Sequence, residues 1–176
     1  MDQSEHFTRT ELACSMELTI EQVTELSVAN LDYLVTESLR DGFHLVERLC
    51  RQWRSGTNRF DRQGEAFFLS RINGRVMGCC GLNVDPFADD STIGRVRRLY
   101  VSQEFRRRGV ATALLKRVCG EAQKSFRVLR ASVGTLNADV FYESVGFTPV
   151  HGFKHYTHVL ELLKNAPCIL DTNKII

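Results

Sequence analysis

The chain has 176 residues, 43% of them hydrophobic and 25% charged, with a formal net charge of +2. That length suits one domain around one core, and 3 prolines and 12 glycines exclude a low-complexity region. So small a net charge does not by itself indicate a nucleic-acid or membrane-surface protein, and no apolar run approaches the ~20 residues that span a bilayer.

Residues 1–18 are polar with weak periodicity and are set apart as an N-terminal segment of uncertain structure. No apolar stretch of the signal-peptide kind follows Met1, which points to a cytoplasmic protein. Thr19 to Leu26 is predicted as a first strand. From Val28 the apolar residues Leu31, Leu34, Val35 and Leu39 fall at helical spacing, and Asp41-Gly42 ends that helix. A second helix is predicted from about Phe43 to Arg54, stopped by Ser55-Gly56-Thr57-Asn58.

The centre of the chain is strand-like. Glu65 to Arg71 and Arg75 to Val84 flank Asn73-Gly74, the strongest short hairpin signal. A third strand runs from Thr92 to Val101. A basic loop then leads into an amphipathic helix from about Arg108 to Lys124, with Val110, Leu114 and Val118 on one stripe. Val128 to Val133 reads as a strand and Ala138 to Val145 as a short helix capped by Gly146. Phe147 to Val150 and His155 to Leu162 are predicted as the last two strands, and residues 164–176 form a tail. Residues 19–163 are thus one domain. Central strands flanked by helices place it in the α/β or α+β class.

The six cysteines, Cys14, Cys50, Cys79, Cys80, Cys119 and Cys168, form no C-x-x-C pair and no cluster with zinc spacing, so no metal is expected. Cys79 and Cys80 are adjacent on a strand and point to opposite faces, a poor arrangement for a disulfide.

One segment carries specific chemistry. The strand Arg97-Arg98-Leu99-Tyr100-Val101 runs into Ser102-Gln103-Glu104-Phe105. Arg106-Arg107-Arg108-Gly109-Val110-Ala111 then opens a helix. The first N–H groups of a helix lack internal partners and sit at the positive end of its dipole, so they suit an anion. Gly109 and Ala111 keep the approach open to a diphosphate, and arginines add charge attraction. The bland alternatives are a solvated charged face or a nucleic-acid patch.

The pattern Arg-x-x-Gly-x-Ala between strand and helix resembles the signature of the GCN5-related N-acetyltransferase (GNAT) superfamily. Ala138-x-x-Phe141-Tyr142-Glu143-x-x-Gly146-Phe147 is similar to that family's second signature. The order of elements from Glu65 to Phe147 also matches. The segments Gly42-Phe43 to Trp53, Asn58-Arg59-Phe60-Asp61, Gly64-Glu65 and Gly81-Leu82-Asn83-x-Asp85-Pro86 resemble a bacterial small-domain subgroup.

The resemblance implies a mostly antiparallel mixed sheet of six to seven strands with about four helices, splayed between the strands at about 92–101 and 128–133. It implies acetyl-CoA as donor and direct attack of an amine on the thioester. Leu99, Tyr100 and Val101 would offer backbone groups to the pantetheine arm. Arg106, Arg107, Arg108, Gly109, Val110, Ala111 and Thr112 would hold the pyrophosphate. Tyr142 would be the general acid, against the alternative of a plain core aromatic. Many members carry Asn seven residues before that tyrosine. Here the position is Thr135, with Asn137 out of register, and both are carried as cofactor candidates. Several members use a Glu on the signature strand as base, where this strand has Arg95, Arg97 and Arg98. The base candidates are therefore Asp85 and His158, with Glu65 and His155 beside them. Arg59, Asp61 and Glu65 are acceptor-site candidates.

The partner expected is a small-molecule or peptide amine, acting on a monomer or homodimer without membrane or nucleic acid. The competing functions are a protein N-acetyltransferase, a non-catalytic acyl-CoA sensor and, from the arginine run, a nucleic-acid-binding domain.

Overall fold

The computed structural model describes residues 17–163. Most of the N-terminal segment, the tail 164–176, Cys14 and Cys168 lie outside the described residues. Strand β1 (Leu18–Gln22) leads through a short 3₁₀ turn at Val28–Leu31 into α1 (Asp32–Arg40) and α2 (Leu45–Ser55). Strands β2 (Ala66–Ile72), β3 (Arg75–Val84) and β4 (Ile93–Val101) follow, then α3 (Val110–Ala122) and β5 (Val128–Ala131). Helix α4 (Leu136–Ser144) and strands β6 (Thr148–Pro149) and β7 (His158–Glu161) complete the domain.

The seven strands form one sheet in the order β1-β2-β3-β4-β5-β7-β6. Every neighbouring pair is antiparallel except β4 with β5. The β2–β3 hairpin turns at Asn73 (φ 50°) and Gly74 (φ 79°). Two consecutive left-handed residues match the twist of the strands they join, which is why Asn-Gly is favoured there.

Element ends shift where a local group takes over. Helix α3 starts at Val110 rather than Arg108, because Gly109 (φ 78°) is left-handed and lies outside the helix. Helix α4 starts at Leu136, where the Thr135 side chain accepts from the Ala138 N–H at 3.4 Å. The last two strands are shorter than their sequence suggests. Residues 150–157 make a loop whose ends are tied by Val150 N–H to Thr157 O (2.8 Å) and Thr157 N–H to Ala131 O (2.9 Å).

The sheet is covered on both faces. On one, Phe68, Cys80, Leu82, Val96 and Leu129 pack under Leu114, Leu115, Val118 and Cys119 of α3. On the other, Phe67, Leu69, Cys79 and Tyr100 pack under Leu34, Val46, Leu49 and Trp53 of α1 and α2. Each fully buried leucine contributes roughly 1.5–3 kcal/mol. Cys79 and Cys80 enter opposite cores as unpaired thiols, as strand alternation requires.

Candidate active site

The partial pairing of β4 with β5 creates the site. Register is kept only from Ile93–Val128 to Arg95–Arg130. Strand β4 runs on to Val101, so among the described residues its Arg97–Val101 half has no partner on the β5 side. This is a wedge with an open backbone edge. Leu99 packs on the α3 side and the Tyr100 side chain is buried on the α1/α2 side, which leaves their main chain at the edge.

The wedge leads to the start of α3. The first bond within the helix there runs from Ala113 N–H to Gly109 O (2.9 Å), so the N–H groups from Gly109 to Thr112 precede the ladder. Arg107 (φ 62°) and Gly109 (φ 78°) are both left-handed. A non-glycine residue in that region costs about 1–2 kcal/mol. Such strain is held where successive N–H groups must turn to one side as an anion-binding nest. A Cβ built on Gly109 meets nothing within 4 Å, so the space before the helix is open. The residues present therefore fit a diphosphate.

The three arginines of the loop do not act alike. Arg107 is exposed. Arg108 lies over the Phe105 ring at 5.5 Å. Arg106 turns towards α1, pairs with Asp41 and donates from Nε to Val101 O at 3.0 Å. Its guanidinium is thus committed to bracing the loop.

That brace was missed in the sequence. Glu37 on α1 and Asp41 at its C-cap, one helical turn apart, face the start of the loop. Glu37 accepts from Tyr100 Oη (3.0 Å), Ser102 Oγ (3.1 Å) and the Gln103 N–H (2.9 Å). Asp41 accepts from Tyr100 Oη (3.0 Å), Gln103 and Arg106. The Arg106 guanidinium holds the Asp41 carboxyl below its ordinary value. Burial pushes Glu37 up, but hydrogen bonds from Tyr33, Gln103, Tyr100 and Ser102 outweigh it and leave it lowered. The i,i+4 acidic pair was the only signal available.

Tyr142 is 7% exposed and sits in the α3-side core. It packs edge-on to Phe147 (centroids 5.1 Å) and lies 6.0 Å from the His158 ring. Burial, with Cys80 and Cys119 nearby, pushes its hydroxyl well above its ordinary value. It therefore stays a neutral hydroxyl at ordinary pH. His158 is buried. Its Nδ1 lies 2.9 Å from Thr157 Oγ1, and its Nε2 has no hydrogen-bond partner among the described residues, with Asp139 at 3.9 Å. Thr135 caps α4, and Asn137 is exposed in the first turn of that helix.

Asp85 is 1% exposed, and its carboxylate lies 3.4 Å from Arg95 Nη1 and 3.2 Å from Arg130 Nη1. It also accepts from the Phe87 N–H at 3.1 Å. A carboxylate so enclosed ties β3, β4 and β5 together at the closed end of the wedge. Glu65 accepts from the Val84 N–H at 3.1 Å. Arg59 is exposed and donates to Trp53 O at 3.1 Å, and Asp61 is exposed. Between them Phe60 (φ 57°) is buried against Phe67, so the loop is anchored by its aromatic ring. His155 stacks on Phe87 at 3.9 Å. Among the described residues no group of His, Cys, Asp and Glu is placed to hold a metal, and no helix is long and apolar enough to cross a membrane.

Comparison with known proteins decides the family. The model of the acetyltransferase (GNAT) domain matches residues 63–149. A candidate acetyltransferase from Exiguobacterium sp. 255-15 is 34% identical and superposes with a TM-score of 0.74, over 83% of this chain and 94% of that one. The chain belongs to the GNAT superfamily of acetyltransferases. A candidate acetyltransferase from Salmonella typhimurium, solved with its cofactor acetyl-CoA, shares the fold. Its TM-score is 0.61 at 18% identity, over 85% of this chain and 97% of that one. An uncharacterized N-acetyltransferase of Methanocaldococcus jannaschii is 30% identical over 91 residues, 49% of this chain. The match spans 40% of that relative's length. The GNAT match runs from the β2 approach through β6 and so takes in the wedge, the start of α3 and Tyr142.

Proposed function

We propose that this protein transfers an acetyl group from acetyl-CoA to the amine of a small molecule or peptide. The observation that carries the proposal is the continuity of an unpaired β4 edge with an open, left-handed helix start. One offers backbone groups to an extended amide-bearing arm, and the other offers N–H groups to a diphosphate. The Salmonella typhimurium protein of the same fold, with its acetyl-CoA, supports that choice of donor.

Bound there, acetyl-CoA supplies an activated acyl thioester. The chain's own residues do the rest. The N–H groups from Gly109 to Thr112 hold the pyrophosphate, with Arg107 and Arg108 adding charge. Backbone N–H groups of the Leu99–Val101 edge orient the arm and polarise the thioester carbonyl. The amine nitrogen bonds to the acyl carbon, the carbon–sulfur bond breaks, and Tyr142 gives its proton to the departing sulfur. The proton lost by the amine leaves through water, or through His158 as the base candidate that lies beside Tyr142, and a proton returned along that route restores the Tyr142 hydroxyl. Asp85 is assigned to holding the sheet.

Isothermal titration with acetyl-CoA, followed by thiol release across an amine panel, tests the proposal. Micromolar binding with amine-dependent release is expected. Binding without release would assign a sensor, and no binding would refute the donor site.

A further inference from the structure

The face of the wedge opposite α3 carries more positive charge than the donor site uses. Strand residues alternate between faces, so neighbours on β4 should point apart. A bulge breaks that rule. Cys79 pairs with Tyr100 and Gly81 with Arg97, so Arg98 and Leu99 share a single opposing residue. Arg98 is left-handed there, with φ 58°. Arg97 lies opposite Gly81, whose missing Cβ would strike the Phe60 ring of the α1/α2 layer at 2.2 Å. Arg98 donates from Nη2 to Gln52 Oε1 of α2 at 2.8 Å. Both guanidiniums therefore reach the α2 face, immediately beyond the last β4–β5 pair. Arg48 precedes Gln52 by one helical turn and adds a third like charge to this face.

Among the described residues no acid is in ion-pair contact with Arg97 or Arg98, and the two that act on Arg97 are engaged elsewhere. Asp85 is enclosed by Arg95 and Arg130, and Glu65 is spent on the Val84 N–H. The Arg97 side chain feels Asp85 and Glu65 only through space, with no ion pair or side-chain hydrogen bond among the described residues, and the Nε of Arg98 is buried without an acceptor. Burial and the neighbouring cations Arg97, Arg48 and Arg51 lower Arg98 to about 10. The bulge thus brings two guanidiniums to one face, and an unsatisfied N–H donor there has capacity for an anionic acceptor.

We propose that Arg97 and Arg98, backed by Arg48, bind a carboxylate or phosphate on the acceptor, so that the substrate is an acidic amine. This inference rests on the acetyl-transfer function proposed above and names its substrate class. The two guanidiniums flank the wedge where an amine must approach the thioester. They lie on the face away from α3, so the cradle and this site bind different anions.

Two readouts test it. The first is independent of turnover: the Arg98 Nε–H resonance is followed by NMR while inorganic phosphate or succinate is added. A saturable shift is expected, weakened about tenfold or more in Arg97→Gln, the usual worth of a charge-assisted bond. The second compares thiol release from matched amines, ethanolamine against β-alanine and phosphoethanolamine, and benzylamine against aminomethylbenzoate. The acidic amines of each set are expected to have a higher kcat/KM than the neutral one by about tenfold or more. Arg97→Gln should erase that preference through KM, Arg97→Lys should keep part of it, and the acetyl-CoA Kd should stay within about threefold of wild type. A preference for phosphate or for carboxylate tells the two anions apart. No saturable shift with either anion, or equal use of neutral and acidic amines in wild type, overturns the inference. Failure of acetyl-CoA to bind would instead refute the donor site, while the anion titration would still report on the arginines.

Discussion

Gly109 is the position where cofactor binding and folding separate most cleanly. Its φ of 78° lies in the left-handed region, and a Cβ there meets nothing within 4 Å. Gly109→Ala therefore costs only the backbone term, about 1–2 kcal/mol. For a domain of this size that is a fall in Tm of roughly 3–6 °C. Gly109→Glu bears the same cost, partly offset by about 0.3–1 kcal/mol because an acid at a helix start is favourable. Its fold should be no less stable than that of the alanine variant. Binding should behave otherwise. A carboxylate about 5 Å from a pyrophosphate oxygen repels it by roughly 3 kcal/mol per unit charge at an effective dielectric of ~20. Salt screens part of that, leaving at least about a hundredfold loss of affinity. Calorimetric titration with acetyl-CoA and thermal denaturation of both variants check the pair of numbers. A Gly109→Glu protein that folds and binds acetyl-CoA within about threefold of wild type would refute the cradle.

Tyr142→Phe should lower kcat about a hundredfold or more while leaving the acetyl-CoA Kd nearly unchanged, and equal turnover would remove Tyr142 as the acid. Because burial raises this hydroxyl, the wild-type kcat should not fall with a midpoint near pH 10, the ordinary tyrosine value. The Asp41 carboxyl is depressed in the fold, so its stabilisation is present above the ordinary carboxylate value near pH 3.9 and is lost as pH falls through the lower folded value. Asp41→Asn should flatten that part of the Tm–pH curve between about pH 5 and pH 2 and weaken acetyl-CoA binding several-fold; an unchanged curve would show that the brace carries no stability. Asp85→Asn should cost about 3 kcal/mol, since it leaves the buried Arg95 and the half-buried Arg130 facing a neutral amide. A loss of kcat of a hundredfold without that loss of stability would return Asp85 to the role of base.

Much of the fold was legible in local pattern. Asn73-Gly74 announced its hairpin, and Leu114, Leu115 and Val118 announced the buried stripe of α3. The open start of α3 was legible for the same reason: Gly109 and the helix after it are adjacent in sequence. Three things were not. The bulge at Arg98 depends on how β3 and β4 align, which alternation does not encode. The Glu37–Asp41 brace joins residues 59 to 66 positions from their partners, so nothing local marks it. Asp85 looks like a turn residue before Pro86, and only the packing of β3 against β4 and β5 places it between Arg95 and Arg130. The arginines of the loop also divide in a way composition hides, with Arg106 turned to Asp41 and Arg107 left at the surface.

The most direct test of the central claim is thiol release at saturating acetyl-CoA, measured for the wild-type protein with and without each amine. Acetyl transfer predicts release that depends on the amine, saturates with it and yields one N-acetyl product per thiol. Tight binding of acetyl-CoA with no amine-dependent release from any acceptor would contradict it.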